Sequence, residues 1–228
     1  MNKVHILIIS DIHLGLEFCN AKVLLEILEG YSYQKLIIVG DLYERGGIIN
    51  DEQFKVIKYL RENREKIIYI DGNHDPSDGL PNILGIDMVK KYEWSLGTKR
   101  FCAMHGHQFD KWCFIFNEPL VDKIFSSILR FFKMINVQEF NVAKWFDSLH
   151  EKFSLHIANK AIKYAKRHKI NIIICGHTHR LSHVEFFDRN GCAIDYFNCG
   201  GWVEDLCSFI TIDENCAIKL HSIDPNLK

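Results

Sequence analysis

The chain is almost without net charge. Its 28 Lys and Arg stand against 29 Asp and Glu, a formal charge of −1. With no basic stretch either, the electrostatic case for a dedicated nucleic-acid binder, nucleases included, is removed. Paired cysteines are missing too: there are 8 Cys and no CxxC pair. Cys102, Cys175 and Cys207 fall in apolar runs, where a thiol behaves as a small hydrophobe. The set reads as reduced thiols, not a disulfide framework. No run is apolar over the roughly 18–20 residues that a membrane span needs. The N-terminal MNKVHILIISDIHLG passes from a short apolar run straight into polar residues. It lacks a small-residue cleavage site and reads as a strand rather than a signal peptide. The expectation is a soluble cytoplasmic protein. Repeats, low-complexity tracts and Gly/Ser linkers are absent, and 47 % hydrophobic residues with 25 % charged exclude a disordered chain.

What is present is an alternation of strand and helix. Short apolar runs rich in Ile and Val recur at Val4–Ile9, Lys35–Val39, Lys66–Ile70, Arg100–Met104 and Asn171–Cys175. Each has the length of a buried strand and ends in a polar, Gly-containing turn. Helical spacing separates the first three. Ala21–Leu28 carries Val23, Leu24, Ile27 and Leu28 after Asn20 as N-cap, and Asp51–Arg64 carries Phe54, Ile57 and Leu60 on one stripe after Asp51 as cap. The core is therefore α/β with right-handed crossovers. Toward the C-terminus, His183–Asp188, Cys192–Phe197, Leu206–Ile212 and Cys216–Ser222 alternate in polarity. They predict an antiparallel meander, forming a second sheet on the first.

Between about 108 and 169 the pattern is helical without strand signals. Leu120, Val121, Ile124, Phe125, Ile128, Phe132 and Ile135 share one face after the start signal at Pro119, and Phe153, Ile157, Ala161 and Tyr164 repeat the spacing. The expected division is a core of 1–107 and 170–228 with a helical insertion over 108–169. That insertion packs as a cap, or acts as a lid whose Phe114, Phe116, Phe125, Phe131 and Phe132 take acyl chains and touch a membrane surface.

Every core strand ends in groups able to bind metal: Asp11 and His13, then Asp41, then Asn73 and His74, then His105 and His107, then His177 and His179. Ligands of open α/β sheets bind beyond the carboxyl ends of the strands. Carboxylate and amide oxygens mixed with imidazoles, and no thiolate, suit Mn, Fe or Zn. Seven of these, Asp11, His13, Asp41, Asn73, His105, His177 and His179, are candidate ligands that already exceed the needs of one ion. Two ions about 3.5–4 Å apart share a bridging carboxylate, activate a water and clamp the attacking and leaving oxygens of a phosphoryl transfer.

The motifs DIHLG, GDLYERGG, GNHD, MHGHQFD and CGHTH, in this order, resemble those of the calcineurin-like metallophosphoesterases. HG-x-QFD, the helical insertion after it and the late NCGGWVE resemble the UDP-2,3-diacylglucosamine pyrophosphatase branch. The resemblance covers most of the chain. It implies a four-layer α/β/β/α sandwich of two sheets flanked by helices. It also implies one ion on Asp11, His13, Asp41 and His179, and another on Asp41, Asn73, His105 and His177, with Asp41 bridging. Manganese is the first expectation, with iron and zinc next. His74 would face the substrate and protonate the leaving oxygen. In the similar GD-x-x-DRG motif an acid orients that His and an Arg contacts phosphate; Glu44 and Arg45 stand at those positions.

Two departures bear on substrate. His107 stands where the branch usually has Asp, and Gly201 precedes Trp202 where it commonly has Asp. His107 then backs a ligand or touches substrate. The chain also keeps His74 where the most studied lipid A enzyme of the branch has Arg, which points to a distinct or broader substrate. The leading substrate is UDP-2,3-diacylglucosamine or a similar acylated nucleotide-sugar, met at the inner membrane face. The alternatives are a phosphodiesterase or phosphatase on soluble nucleotides or other phosphoesters, and a non-catalytic scaffold of the same fold. Among the remaining residues, His5 reads as a satisfied strand residue, His183 as a weak substrate-contact candidate, and Asp110 as a helix cap rather than a ligand.

Overall fold

A computed structural model describes residues 2–75, 84–110, 139–188, 191–203, 205 and 207–226, with the backbone alone for 139–149. The expected helix after Pro119, the five phenylalanines from Phe114 to Phe132, and Glu204 lie outside the described residues.

The strands are β1 (Asn2–Ile9), β2 (Tyr31–Val39), β3 (Ile67–Ile70), β4 (Met88–Val89), β5 (Tyr92–Leu96), β6 (Lys99–Ala103), β7 (Ile172–Cys175), β8 (Ser182–Phe187), β9 (Ala193–Asn198), β10 (Cys207–Ile212) and β11 (Ile218–Ile223). The helices are α1 (Ala21–Gly30), α2 (Asp51–Glu62) and α3 (Glu139–His168). One sheet has the order β11-β10-β1-β2-β3-β4 and the other β5-β6-β7-β9-β8. β1 to β4 run parallel, as do β6, β7 and β9; the flanking strands are antiparallel.

Strand alternation builds the layers. Leu7 and Ile9 of β1, with Leu36 and Ile38 of β2, pack on Leu24 and Leu28 of α1 and Val56, Ile57 and Leu60 of α2. Their neighbours Ile6, Ile8, Ile37 and Val39 face inward against Phe101, Ala103, Ile172 and Ile174 of the second sheet. On that sheet's outer side Cys102, Met104, Ile173 and Cys175 meet Ala158, Ala161, Ile162 and Ala165 of α3. This is the four-layer α/β/β/α sandwich. Its outer layer uses the second half of α3, so part of the 108–169 segment is built into the sandwich itself. The thiols of Cys102, Cys175 and Cys207 are fully buried in these layers.

Three expectations are corrected. The C-terminal strands do not form one meander. The β8–β9 hairpin joins the second sheet through β9 on β7, while the β10–β11 hairpin joins the first through β10 on β1. Hairpin pairing is local, but the sheet it joins depends on which edge is free. The cap of α2 is Asn50, not Asp51. Its side chain accepts from Gln53 N–H at 2.9 Å while Gln53 Oε1 accepts from Asn50 N–H at 3.3 Å. Phe54 leaves the core stripe and is 61 % exposed, its inward place taken by buried Gln53. Gln53 also accepts from Gly15 N–H and donates to the Leu16 carbonyl, tying α2 to the loop after β1.

Candidate metal centre

The five strand-end loops from β1, β2, β3, β6 and β7 meet at one edge of the sandwich. Among the described residues seven non-glycine positions have positive φ, and five are candidate ligands: Asp11 (53°), His13 (52°), Asp41 (51°), His177 (69°) and His179 (51°). Left-handed backbone costs an L-residue about 1–2 kcal/mol, so such clustering marks a functional edge. Gly40, with φ of 80°, permits one of the close approaches: a Cβ there would overlap the His105 ring.

Hydrogen bonds hold this geometry. Asp11 accepts from the Ser10 hydroxyl and, at 3.0 Å, from His177 N–H. Asp41 accepts from His74 N–H at 2.9 Å. The buried Asp75 carboxylate receives Asp41, Leu42, Tyr43 and Gly72 N–H at 2.8–3.1 Å and the Tyr69 hydroxyl at 2.6 Å. Burial and the neighbouring Asp41 raise its pKa. Asp75 thus fixes the Asp41 loop against the GNHD turn.

The donor atoms converge. His13 Nε2 lies 3.3 Å from His179 Nε2 and 3.8 Å from Asp41 Oδ2. His179 Nε2 is 3.3 Å from Asp11 Oδ1. His105 Nε2 is 3.1 Å from Asp41 Oδ2 and 3.0 Å from Asn73 Oδ1. Asp11–His13–His179, Asp11–Asp41–His105 and His13–Asp41–His74 each place three donor atoms within 4.8 Å of one another. Asp41 thereby faces both His13 and His105. His74 comes within reach of ligand atoms, although the resemblance gives it a substrate-facing role. His177 stands outside these groups; its ring is 5.2 Å from that of His105, centroid to centroid.

The residues fit divalent cations. Donors about 2.1 Å from one ion stand about 3.0–3.4 Å apart, the spacing of four of the five contacts above. Pairing also sets the tautomers: His13 Nδ1–H donates to Glu44 at 2.8 Å and His105 Nδ1–H to the Val39 carbonyl at 2.8 Å. Both rings then turn Nε2 lone pairs toward carboxylate and amide oxygens, an acceptor cluster that a cation satisfies. Without one the cluster draws protons. Burial disfavours a charged His105, yet Asp41 and Asp11 prevail and push it up to about 10. Asp41 is held well below the usual carboxylate range, its burial outweighed by His105, His74 and His13.

Glu44 binds two imidazoles, His13 Nδ1 at 2.8 Å and His74 Nδ1 at 3.0 Å; burial is outweighed and its pKa falls to about 2. Arg45 is exposed on the same loop. His107 lies 5.4 Å from the His105 ring, and burial with the neighbouring imidazoles pushes it down to about 4. His183 is turned to other work, pairing with Asp195 at 2.7 Å and stacking on Phe197. His5 Nδ1 is buried without a hydrogen-bond partner, so that ring is not satisfied as expected. Asp75 and Asp110 were missed as site residues. Asp75 directly follows Asn73 and His74, the one local signal available. Asp110 Oδ2 approaches His177 Nε2 to 3.2 Å.

The calcineurin-like phosphoesterase family profile matches residues 4–181. A UDP-2,3-diacylglucosamine hydrolase from Psychromonas ingrahamii is 22 % identical over 231 residues, covering 92 % of this chain and 94 % of that protein. A solved archaeal phosphodiesterase superposes with a TM-score of 0.53 at 17 % identity, covering 96 % of this chain and 99 % of its own. Zinc-complexed Vps29 from Entamoeba histolytica gives 0.50 at 17 % identity, covering 97 % and 99 %. With all five strand-end motifs inside the matched span, the chain belongs to the calcineurin-like phosphoesterase family.

Proposed function

We propose that this protein hydrolyses a phosphoanhydride or phosphoester bond with two divalent cations, manganese first among them. Asp11, His13, Asp41 and His179 would hold one, and Asp41, Asn73, His105 and His177 the other. The observation that carries this reading is the cluster of acceptor atoms 3.0–3.8 Å apart, with His13, Asp41 and His179 on left-handed backbone. Bound cations supply Lewis acidity and a nucleophile from water near neutral pH. The chain's own residues do the rest. Asp41 presents one carboxylate to both donor groups. His74, whose Nδ1 lies 3.0 Å from Glu44, protonates the leaving oxygen from Nε2, and Glu44 keeps Nδ1 protonated. Exposed Arg45 and part-buried His107 flank the centre as phosphate contacts.

The substrate class we favour is UDP-2,3-diacylglucosamine or a similar acylated nucleotide-sugar. The name of the Psychromonas relative supports it. So do four exposed apolar side chains, Phe18, Ile48 (86 % exposed), Ile49 and Phe54, on segments that follow His13 and Glu44 and are joined through Gly15 and Gln53. No helix among the described residues is long and apolar enough to cross a membrane. We place the protein in the cytoplasm, at the inner membrane face when it meets such a substrate.

Phosphorus NMR of UDP-2,3-diacylglucosamine with protein and Mn²⁺, beside bis-p-nitrophenyl phosphate as a control, tests the proposal. UMP and acylated sugar phosphate are the expected products. Cleavage of the diester alone moves the assignment to soluble phosphoesters. Cleavage of neither, with metal bound, moves it to a scaffold.

A further inference from the structure

Given the two-ion reading above, we infer that Asp110 is the positioning residue of His177 and determines which ring nitrogen that ligand offers. Three candidate ligand imidazoles have one nitrogen engaged away from the cluster. His13 and His105 engage Nδ1, on Glu44 and the Val39 carbonyl, and present Nε2. His177 is reversed: its Nε2 is the atom 3.2 Å from Asp110 Oδ2. An ionised carboxylate only accepts, so Nε2 bears the proton and the lone pair of the neutral ring is on Nδ1.

The surroundings suit this role. Asp110 is 6 % exposed, so little water competes for the bond. Its backbone is fixed by donation of N–H to the His107 carbonyl at 3.0 Å, in the turn that directly follows the His105 strand end. The left-handed backbone of His177 and the donation of its N–H to Asp11 fix the other end of the side chain. Two free torsions then remain, and the Asp110 bond selects between the two faces of the ring. Glu44 does the same for His13 across the centre, so each proposed ion has one ligand imidazole backed by a carboxylate that is not itself a ligand.

Such backing residues are worth about 10–100-fold in metal affinity. The test is Mn²⁺ titration of metal-stripped protein against a chromophoric chelator, for the parent, Asp110→Ala and Asp110→Asn, with melting temperatures of the stripped proteins alongside. The parent is expected to take two ions. Asp110→Ala is expected to keep one at parental affinity and to bind the other about 10–100-fold more weakly. Asp110→Asn retains an acceptor oxygen and is expected to lose less. Melting temperatures are expected to stay near that of the parent. Should Asp110→Ala not fold, the Asn variant still decides, by a smaller loss confined to one ion. Parental affinity for both ions in the variants overturns the inference and leaves the two-ion reading standing. Equal weakening of both ions with a lowered melting temperature makes Asp110 a general structural residue and overturns it as well. A parent that takes no second ion overturns the two-ion reading first, and this inference with it.

Discussion

The two sheets bring different chemistry to one edge. The six-stranded sheet supplies candidate oxygen ligands, Asp11, Asp41 and Asn73, together with His13 and His74. The five-stranded sheet supplies imidazoles alone, His105, His177 and His179. They are also held differently. In the first, Asp41 accepts from His74 N–H, and its loop is held by four main-chain N–H groups that donate to Asp75. Two imidazoles of the second are steered at the far ring nitrogen by an acceptor, Val39 for His105 and Asp110 for His177. The oxygen half is therefore part of the folded backbone, whereas the imidazole half is a set of adjustable side chains on it. Damage to the first should register in stability as well as activity. Damage to the second should register mainly in metal affinity.

The strongest way to break the contrast is Asp41→Asn. It removes a carboxylate charge that lies within 3.8 Å of His13 and 3.1 Å of His105. Several kcal/mol of charge stabilisation go with it, which is more than about 10³-fold in rate. Hydrolysis of bis-p-nitrophenyl phosphate and metal content by atomic emission should fall together, and near-parental activity would refute the two-ion assignment. His74→Ala comes next. Both ions should stay while kcat drops by about 10²–10⁴-fold, the worth of a positioned acid. Loss of metal instead would make His74 a ligand, as its proximity to His13 and Asp41 allows.

Asp75→Ala probes the grip itself. It leaves four N–H groups and the Tyr69 hydroxyl without their acceptor in a buried turn. Orphaned buried donors cost about 1–3 kcal/mol each before relaxation, so a loss of about 3 kcal/mol in urea unfolding of metal-free protein is expected. A loss below about 1 kcal/mol would place the rigidity of the Asp41 loop elsewhere.

The same contrast explains what could be read from sequence. Metal chemistry restricts residue type, so Asp, His and Asn at the ends of apolar runs stood out before any contact was known. The parallel strands were legible for a related reason: both faces of Ile6–Ile9 or Ile172–Cys175 are buried, which leaves continuous apolar runs. The gripping residues were not legible. Asp75 acts on three N–H groups 32–34 positions away besides that of Gly72, and Asp110 on a ring 67 positions away, so the place of Asp75 in the GNHD run is the one local trace of either. Tyr92–Leu96 escaped because an edge strand with half-exposed aromatics and Glu93 between them carries a weak apolar signal. Phe54 misled because helical spacing assigns a face without saying which neighbour covers it.

The smallest expected effect is the sharpest on the imidazole side. His179→Gly removes a proposed ligand and, at the same position, a left-handed L-residue with φ of 51°. That conformation costs about 1–2 kcal/mol, and glycine adopts it freely. Glycine loses about 0.5–1 kcal/mol more chain entropy on folding. His179 makes no main-chain clamp of the Asp75 kind. Its ring meets Asp11 at 3.3 Å and His13 at 3.3 Å, and two imidazole nitrogens facing each other without a cation add no hydrogen bond while both are unprotonated. The balance favours glycine by about 0.5–1 kcal/mol in metal-free protein. The urea midpoint should rise slightly in chelator while Mn²⁺-dependent turnover falls. A lowered midpoint would mean that His179 holds the fold through Asp11, and the imidazole half would then be as structural as the oxygen half.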